Sequence, residues 1–155
     1  MPLTFNAIFL GNSGIELDPT EGDNVAENAN LLVGQTFGGP GAALAGQWVS
    51  FTSVNNGGVA TALDMNNTTV TDQAIIDSGS GSVTYDFDGT AVWSGMFTYI
   101  DGTSSAPGLQ LVLVQMTNGD LYLVPRPTAA DPTNTALAAN QIQSVTITGL
   151  TSNTL

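Results

Sequence analysis

The sequence predicts an all-β fold: an antiparallel β-sandwich or jelly roll of about nine strands, with one short helix near the C-terminus. Three observations carry this expectation. Apolar and polar residues alternate in short runs rich in β-branched and aromatic residues. Turn dipeptides, Asp88-Gly89, Asp101-Gly102 and Asn118-Gly119, punctuate those runs. Only one segment, NTALAANQ, reads as a helix.

Taken in order, TFNAIFL (residues 4–10) opens the chain as a strand. QWVSFTSV and VATALDM flank the tetrapeptide NNGG (residues 55–58), a hairpin signal. GGPGAALAG (residues 38–46) reads as a flexible connection before them. In SVTYDF, Val83, Tyr85 and Phe87 alternate with Thr84, Asp86 and Asp88, the pattern of a half-buried strand. Asp88-Gly89 suits a type I′ turn into TAVWSGMFTYI, because both central residues of that turn need positive φ. The run LQLVLVQM is apolar on both faces, which predicts a central strand covered on both sides. Asn118-Gly119 turns it back into DLYLVP, and IQSVTITGL is the last strand. The helix, residues 134–141, is expected to be capped by Asn134 or Thr133. No repeat or linker interrupts the 155 residues, so the whole chain, 1–155, reads as a single domain.

Composition narrows the function classes. Hydrophobic residues make up 42% of the chain and charged ones only 9%, so a real core is paired with a surface built from Thr, Ser, Asn, Gln and Gly. Thirteen carboxylates stand against one cation, Arg126, giving a net charge of −12. That charge repels polyanions, which argues against nucleic acid and against docking on an anionic membrane leaflet. At most one Arg or Lys side-chain salt bridge can form; the other carboxylates must be solvated, hydrogen-bonded or paired with something outside the chain. Such a surface suits a high-salt, cation-rich setting. Arg126 is followed by Pro127, so trypsin-like proteases find essentially no cleavable site even in the unfolded chain. That is either a side effect of an acidic composition or an adaptation to survival outside the cell.

Cysteine is absent, which excludes thiol chemistry and disulfides. MPLTFNAIFLGNSG has neither a basic n-region nor a long apolar run, so it does not read as a Sec signal peptide, and no run approaches the ~18 apolar residues of a membrane span. An extracellular or cell-surface location, reached without an N-terminal Sec signal, is the expectation.

Ordinary catalysis has few tools here. Without His, Cys or Lys there is no usual base for a Ser nucleophile, no Schiff-base lysine and no His-based metal site. A pair of carboxylates is the remaining option, yet most of them fall in turns, where Asp belongs for backbone reasons. The densest acidic segment, IELDPTEGDNVAEN, places Glu16, Asp18, Glu21, Asp23 and Glu27 within twelve positions. It is either a solvated loop or a calcium site, with Asp18, Glu21, Asp23 and Glu27 as the candidate ligands, because Ca²⁺ takes six to eight oxygens from carboxylates, amides and carbonyls. DFDG (residues 86–89) resembles the start of a calcium loop but is better explained by strand alternation followed by a turn. Among the aromatic residues, Trp48 follows the Gly-rich connection and is the expected exception to core placement.

The order of segments resembles the β-domain that precedes Hint autoprocessing domains in secreted bacterial proteins. The resemblance is carried by TFNAIFLG with DPTEGDNVAENANLLVGQTFGG, VTYDFDGTAVWSGMFTYIDGT, LVLVQMTNGDLYLVP and NTALAANQIQSVTITGLTSNT. It implies an exported, non-catalytic domain of a secreted or surface assembly. No Hint motif and no nucleophilic Cys are present, so self-cleavage does not carry over.

Two readings follow. In the first, the chain is a non-enzymatic, self-associating subunit of an extracellular filament, surface layer or particle, joined through an edge strand donated by TFNAIFL or SVTITGL. Screening at high ionic strength or bridging calcium would offset the charge repulsion. In the second, it is a calcium-dependent carbohydrate-binding or adhesion module, its site joining the acidic loop to Trp48 and its partners surface glycans.

Overall fold

The computed structural model describes residues 3–20, 25–54, 56, 72–128 and 130–153. Among them are eight strands: β1 (Leu3–Asn12), β2 (Thr36–Gly38), β3 (Trp48–Val54), β4 (Gln73–Asp77), β5 (Ser82–Tyr99), β6 (Leu109–Met116), β7 (Asp120–Val124) and β8 (Ile142–Ser152). One helix, α1 (Pro132–Ala139), precedes β8. The antiparallel all-β architecture with a short helix near the C-terminus is therefore present. The expected strand VATALDM and most of the NNGG turn lie outside the described residues.

All eight strands belong to one antiparallel sheet, ordered β2-β8-β5-β4-β3-β1-β7-β6, and a further β5–β6 ladder returns it to β5. Two opposed hydrogen bonds show how β5 closes the ring: Phe87 N–H donates to the Asp72 carbonyl on the β4 side, while the Asp86 carbonyl accepts from Thr117 N–H on the β6 side. Further along, residues 92–95 pair with β6 and β8 at once. The sandwich is thus a single sheet rolled on itself, with β8 and β2 as a flap.

β5 corrects the sequence reading. SVTYDF and TAVWSGMFTYI are one strand, and Asp88-Gly89 is a register shift within its ladder to β6 rather than a turn. Neither residue has the positive φ that a type I′ turn requires. Gly89 serves close approach instead: a Cβ there would lie 3.1 Å from Asp18 Cβ and 3.6 Å from Leu17 Cβ. Gly95 is the second such position, where a Cβ would strike the Thr146 carbonyl oxygen and come within 2.6 Å of Leu111 Cδ1. The half-buried pattern expected for SVTYDF holds only at its end. Val83 is 50% exposed and Phe87 buried, because the strand enters the ring only at the bulge.

The interior of the ring is aromatic. Phe5 stacks on Phe51 at 5.1 Å, and Tyr122 meets Phe51 at 5.9 Å and Phe9 at 5.4 Å, geometries that ring quadrupoles favour. The opposite face of β5 and β6, including Trp93, Leu111 and Leu113, is also fully buried, as the doubly apolar LQLVLVQM predicts. It is covered in part by a 3₁₀ turn, Ala29–Leu32, whose Ala29 carbonyl accepts the Trp93 Nε1–H at 2.8 Å. GGPGAALAG is more structured than a flexible connection: Leu44–Gly46 forms a 3₁₀ turn and Leu44 is buried.

Two turns behave as read. Gly102 and Gly119 both adopt positive φ, and Gly119 N–H closes a turn onto the Met116 carbonyl. The helix cap differs from expectation. Asp131, with Pro132 after it, caps α1 by accepting from Thr133 N–H at 2.9 Å, two or three residues earlier than Thr133 or Asn134 would.

Candidate functional site

Three places carry unspent chemistry: the acidic loop, the start of β1, and the mouth of the ring.

The acidic loop is clamped to β6 by one side chain. Gln115, buried near the end of β6, accepts from Leu17 N–H at 2.8 Å and donates to the Ile15 carbonyl at 2.6 Å. Asn28 closes the loop from the other side, its N–H donating to the Leu17 carbonyl and its amide to the Glu16 carbonyl. Leu17 and Asp18 are consequently fully buried against Gly89. Glu27 reaches the same place. Its carboxyl is held below the usual carboxylate range, first by its own backbone N–H, with the Thr20 and Asp18 side chains adding and burial opposing. Two carboxyls in contact need a proton or a cation between them. Of the four expected ligands, the structure brings Asp18 and Glu27 together, whereas Glu21 and Asp23 lie outside the described residues. No group of three or more acidic side chains converges among the described residues.

Asp88 is not the turn residue its sequence context predicts. The bulge buries it, and with Glu16 and Gln115 it lines a depression of about 300 Å³. Asp72 was also invisible to sequence reasoning; it is buried, and its Oδ1 accepts from Asn56 N–H at 2.7 Å.

The start of β1 owes its state to Pro125. β1 pairs with β3 from Leu3 to Ile8, but its ladder with β7 begins only at Ile8. β7 ends at Val124 because Pro125 has no N–H to continue the ladder. The Pro-Arg-Pro segment then swerves onto α1. Arg126 N–H donates to Asn134 Oδ1, Asn134 Nδ2 donates back to the Arg126 carbonyl, and Arg126 Nε lies 3.4 Å from Asp131 Oδ2. The one cation thus pins a helix cap. Among the described residues, no strand occupies the β7-side edge of residues 3–6. Phe9 N–H points to the Gln47 carbonyl on the β3 side, so by two-residue alternation the backbone groups of Thr4 and Asn6 face that open edge. Beside it, Asn6, Trp48, Pro125, Asn134, Leu137 and Ala138 line a groove of about 430 Å³.

The other expected joint, SVTITGL, is covered on both sides through Ile147. β8 is paired with β5 on one side, and on the other β2 and residues 34–35 lie against it. The expected union of acidic loop and Trp48 is also not formed: no described acidic-loop residue lines either depression that Trp48 borders. The Gln115 clamp explains this, because it ties the loop to the outer face of β6. Trp48 itself is 41% exposed, as expected, whereas Trp93 is core.

No helix among the described residues is long and apolar enough to cross a membrane. No family model, curated protein or solved structure matches the chain.

Proposed function

We propose that this chain is a non-enzymatic structural protein that associates with copies of itself, through the open edge of β1, as a subunit of an extracellular or cell-surface assembly. The observation that carries the reading is the edge left by Pro125: backbone donors and acceptors of Thr4 and Asn6 in an extended strand with no partner strand among the described residues. Unpaired edges template pairing with another chain, and a symmetric pair of β1 edges forms a closed, self-complementary joint.

Magnitudes decide what else the joint needs. Two residues offer four backbone groups, worth roughly 2–6 kcal/mol at about 0.5–1.5 kcal/mol per hydrogen bond. Association costs an estimated 4–15 kcal/mol, so the ladder alone is insufficient. The adjoining groove with the exposed Trp48 supplies the apolar contact that makes up the difference. Repulsion between copies carrying −12 each weakens at high ionic strength, and calcium held by Asp18 and Glu27 would lower it further.

The test is light scattering behind size exclusion at seawater-like salt, with calcium and then with EDTA, on the native chain and on Asn6→Pro. Proline at position 6 removes an edge donor while leaving the β3 ladder its own partners. A native multimer reduced to monomer by Asn6→Pro, with unchanged circular dichroism, is the expected result. Dissociation in EDTA would add calcium to the joint. A native chain that stays monomeric at every salt and calcium level would sink the reading.

A further inference from the structure

We infer that the mouth of the strand ring is a binding site for a neutral saccharide, independent of calcium. The ring is packed with aromatic side chains at its centre but opens at one end into a cleft of about 320 Å³. Interior positions of four strands reach this cleft, Phe9 from β1, Val49 from β3, Tyr85 from β5 and Tyr122 from β7, and Trp48 stands at its rim. The mouth of a β-barrel is a common place for a small-molecule site, and this volume admits one sugar ring with a margin.

The chemistry of the walls selects the ligand class. Trp48, 41% exposed, borders the cleft, and an aromatic face packs against the C–H face of a pyranose. Uncharged donors and acceptors surround it: Gln47 and the hydroxyls of Ser78 and Ser80. Neither the Tyr85 nor the Tyr122 hydroxyl has a hydrogen-bond partner among the described residues, although both line the cleft. A hydroxyl kept in an aromatic cleft without a protein partner is matched by a ligand that brings its own hydroxyls. Asp120 is the one charge in the cleft, and it is an acceptor. With a net charge of −12 and Arg126 engaged at Asp131, nothing here would hold a sulfated, phosphorylated or carboxylated sugar. A quaternary ammonium would use the aromatic faces but leave the Ser, Gln and Tyr groups unmatched, so the neutral polyol fits better.

The rim is built for access. Residues 78–81 form the β4–β5 turn, in which Gly79 and Gly81 adopt positive φ and Gly79 N–H bonds Asp77 Oδ1. That holds Ser78 and Ser80 at the opening with short side chains that do not close it.

The experiment is saturation-transfer NMR and calorimetry in EDTA on native protein. The probes are the methyl glycosides of glucose, galactose, mannose and N-acetylglucosamine, the β1,4-linked tetramers of glucose and N-acetylglucosamine, and tetramethylammonium. Saturable binding of at least one saccharide is expected. Trp48→Ala should weaken it about tenfold or more and Tyr122→Phe by a smaller factor, with thermal midpoints that show both variants folded. Native-strength binding in Trp48→Ala would overturn the proposal. So would no saturable binding of any saccharide up to about 50 mM, a level that reveals even a millimolar site, or binding of tetramethylammonium alone. Asn6→Pro, which breaks the β1 joint that also covers Trp48, should bind at least as tightly as native protein, so failure of the joint and failure of this site are distinguishable.

Discussion

Replacing Gln115 with Met tests the clamp that fixes the acidic loop. Met fills nearly the same volume, so little cavity is created and the change isolates the amide. It leaves Leu17 N–H, now bonded at 2.8 Å in the interior, without an acceptor, and the Ile15 carbonyl, bonded at 2.6 Å and partly buried, without a donor. The third contact, to the Gly119 carbonyl at 3.3 Å, is long and adds little. An unsatisfied buried group costs about 1–3 kcal/mol, and the Ile15 carbonyl can recover part of its share from water. The sum is roughly 2–4 kcal/mol, or a thermal midpoint lower by roughly 5–15 °C for a chain of this size. Urea denaturation followed by circular dichroism measures the loss, and amide exchange at Leu17 reads the clamp directly. The expected pattern is a large loss of stability with early exchange at Leu17. A loss below about 0.5 kcal/mol with Leu17 still protected would refute the reasoning, since surface-like changes fall in that range.

Two further outcomes follow from the charges. The carboxyls of Glu27, Asp101 and Asp131 are held below their ordinary values, chiefly by backbone or Thr hydrogen bonds, so their contribution is present above the unfolded carboxylate range near pH 4 and is lost as pH falls through the depressed folded values. Tyr99 and Tyr122 are pushed up by burial, so stability is lost again as pH rises past about 10; with no His, Cys or Lys side chain, denaturation midpoints measured in calcium, where a cation can replace the proton between Asp18 and Glu27, should be flat between about pH 6 and 9, and a pronounced slope there would contradict this account. At the helix start, Asp131→Ala should lower the urea midpoint more than Arg126→Met does. The backbone N–H of Thr133 is the larger influence on Asp131, and the partly exposed ion pair is screened; the reverse order would make Arg126 the anchor.

The sequence by itself determined the class of the molecule and much of its punctuation. Alternation and turn glycines mark strands whatever they pair with, and this is why β1, β3, β6, β7 and the Gly119 turn were legible. The doubly apolar LQLVLVQM announced a strand covered on both faces, because burial on two sides leaves no room for alternation. Composition removed His, Cys and Lys chemistry before any fold was known. Trp48 was legible as the exposed aromatic because it follows a Gly-rich segment.

What only the tertiary structure decided were the relations between distant residues. Asp88-Gly89 is locally a turn signal, yet continuous burial from Phe87 through Trp93 favours one long strand, and Gly89 is needed where Leu17 and Asp18 approach. Gln115 stood in the sequence as one of two glutamines in an otherwise apolar run, a signal that a buried polar group has a partner, though Ile15 and Leu17 were not identifiable as that partner. Tyr85 and Tyr122 have the spacing of core residues, and only closure of the ring left their hydroxyls at its mouth. The open edge of β1 is set by a proline more than a hundred residues away, because a ladder ends where its partner runs out of N–H groups. Local periodicity fixes what each segment is; which segments meet depends on non-local packing and backbone satisfaction, which no window of sequence contains.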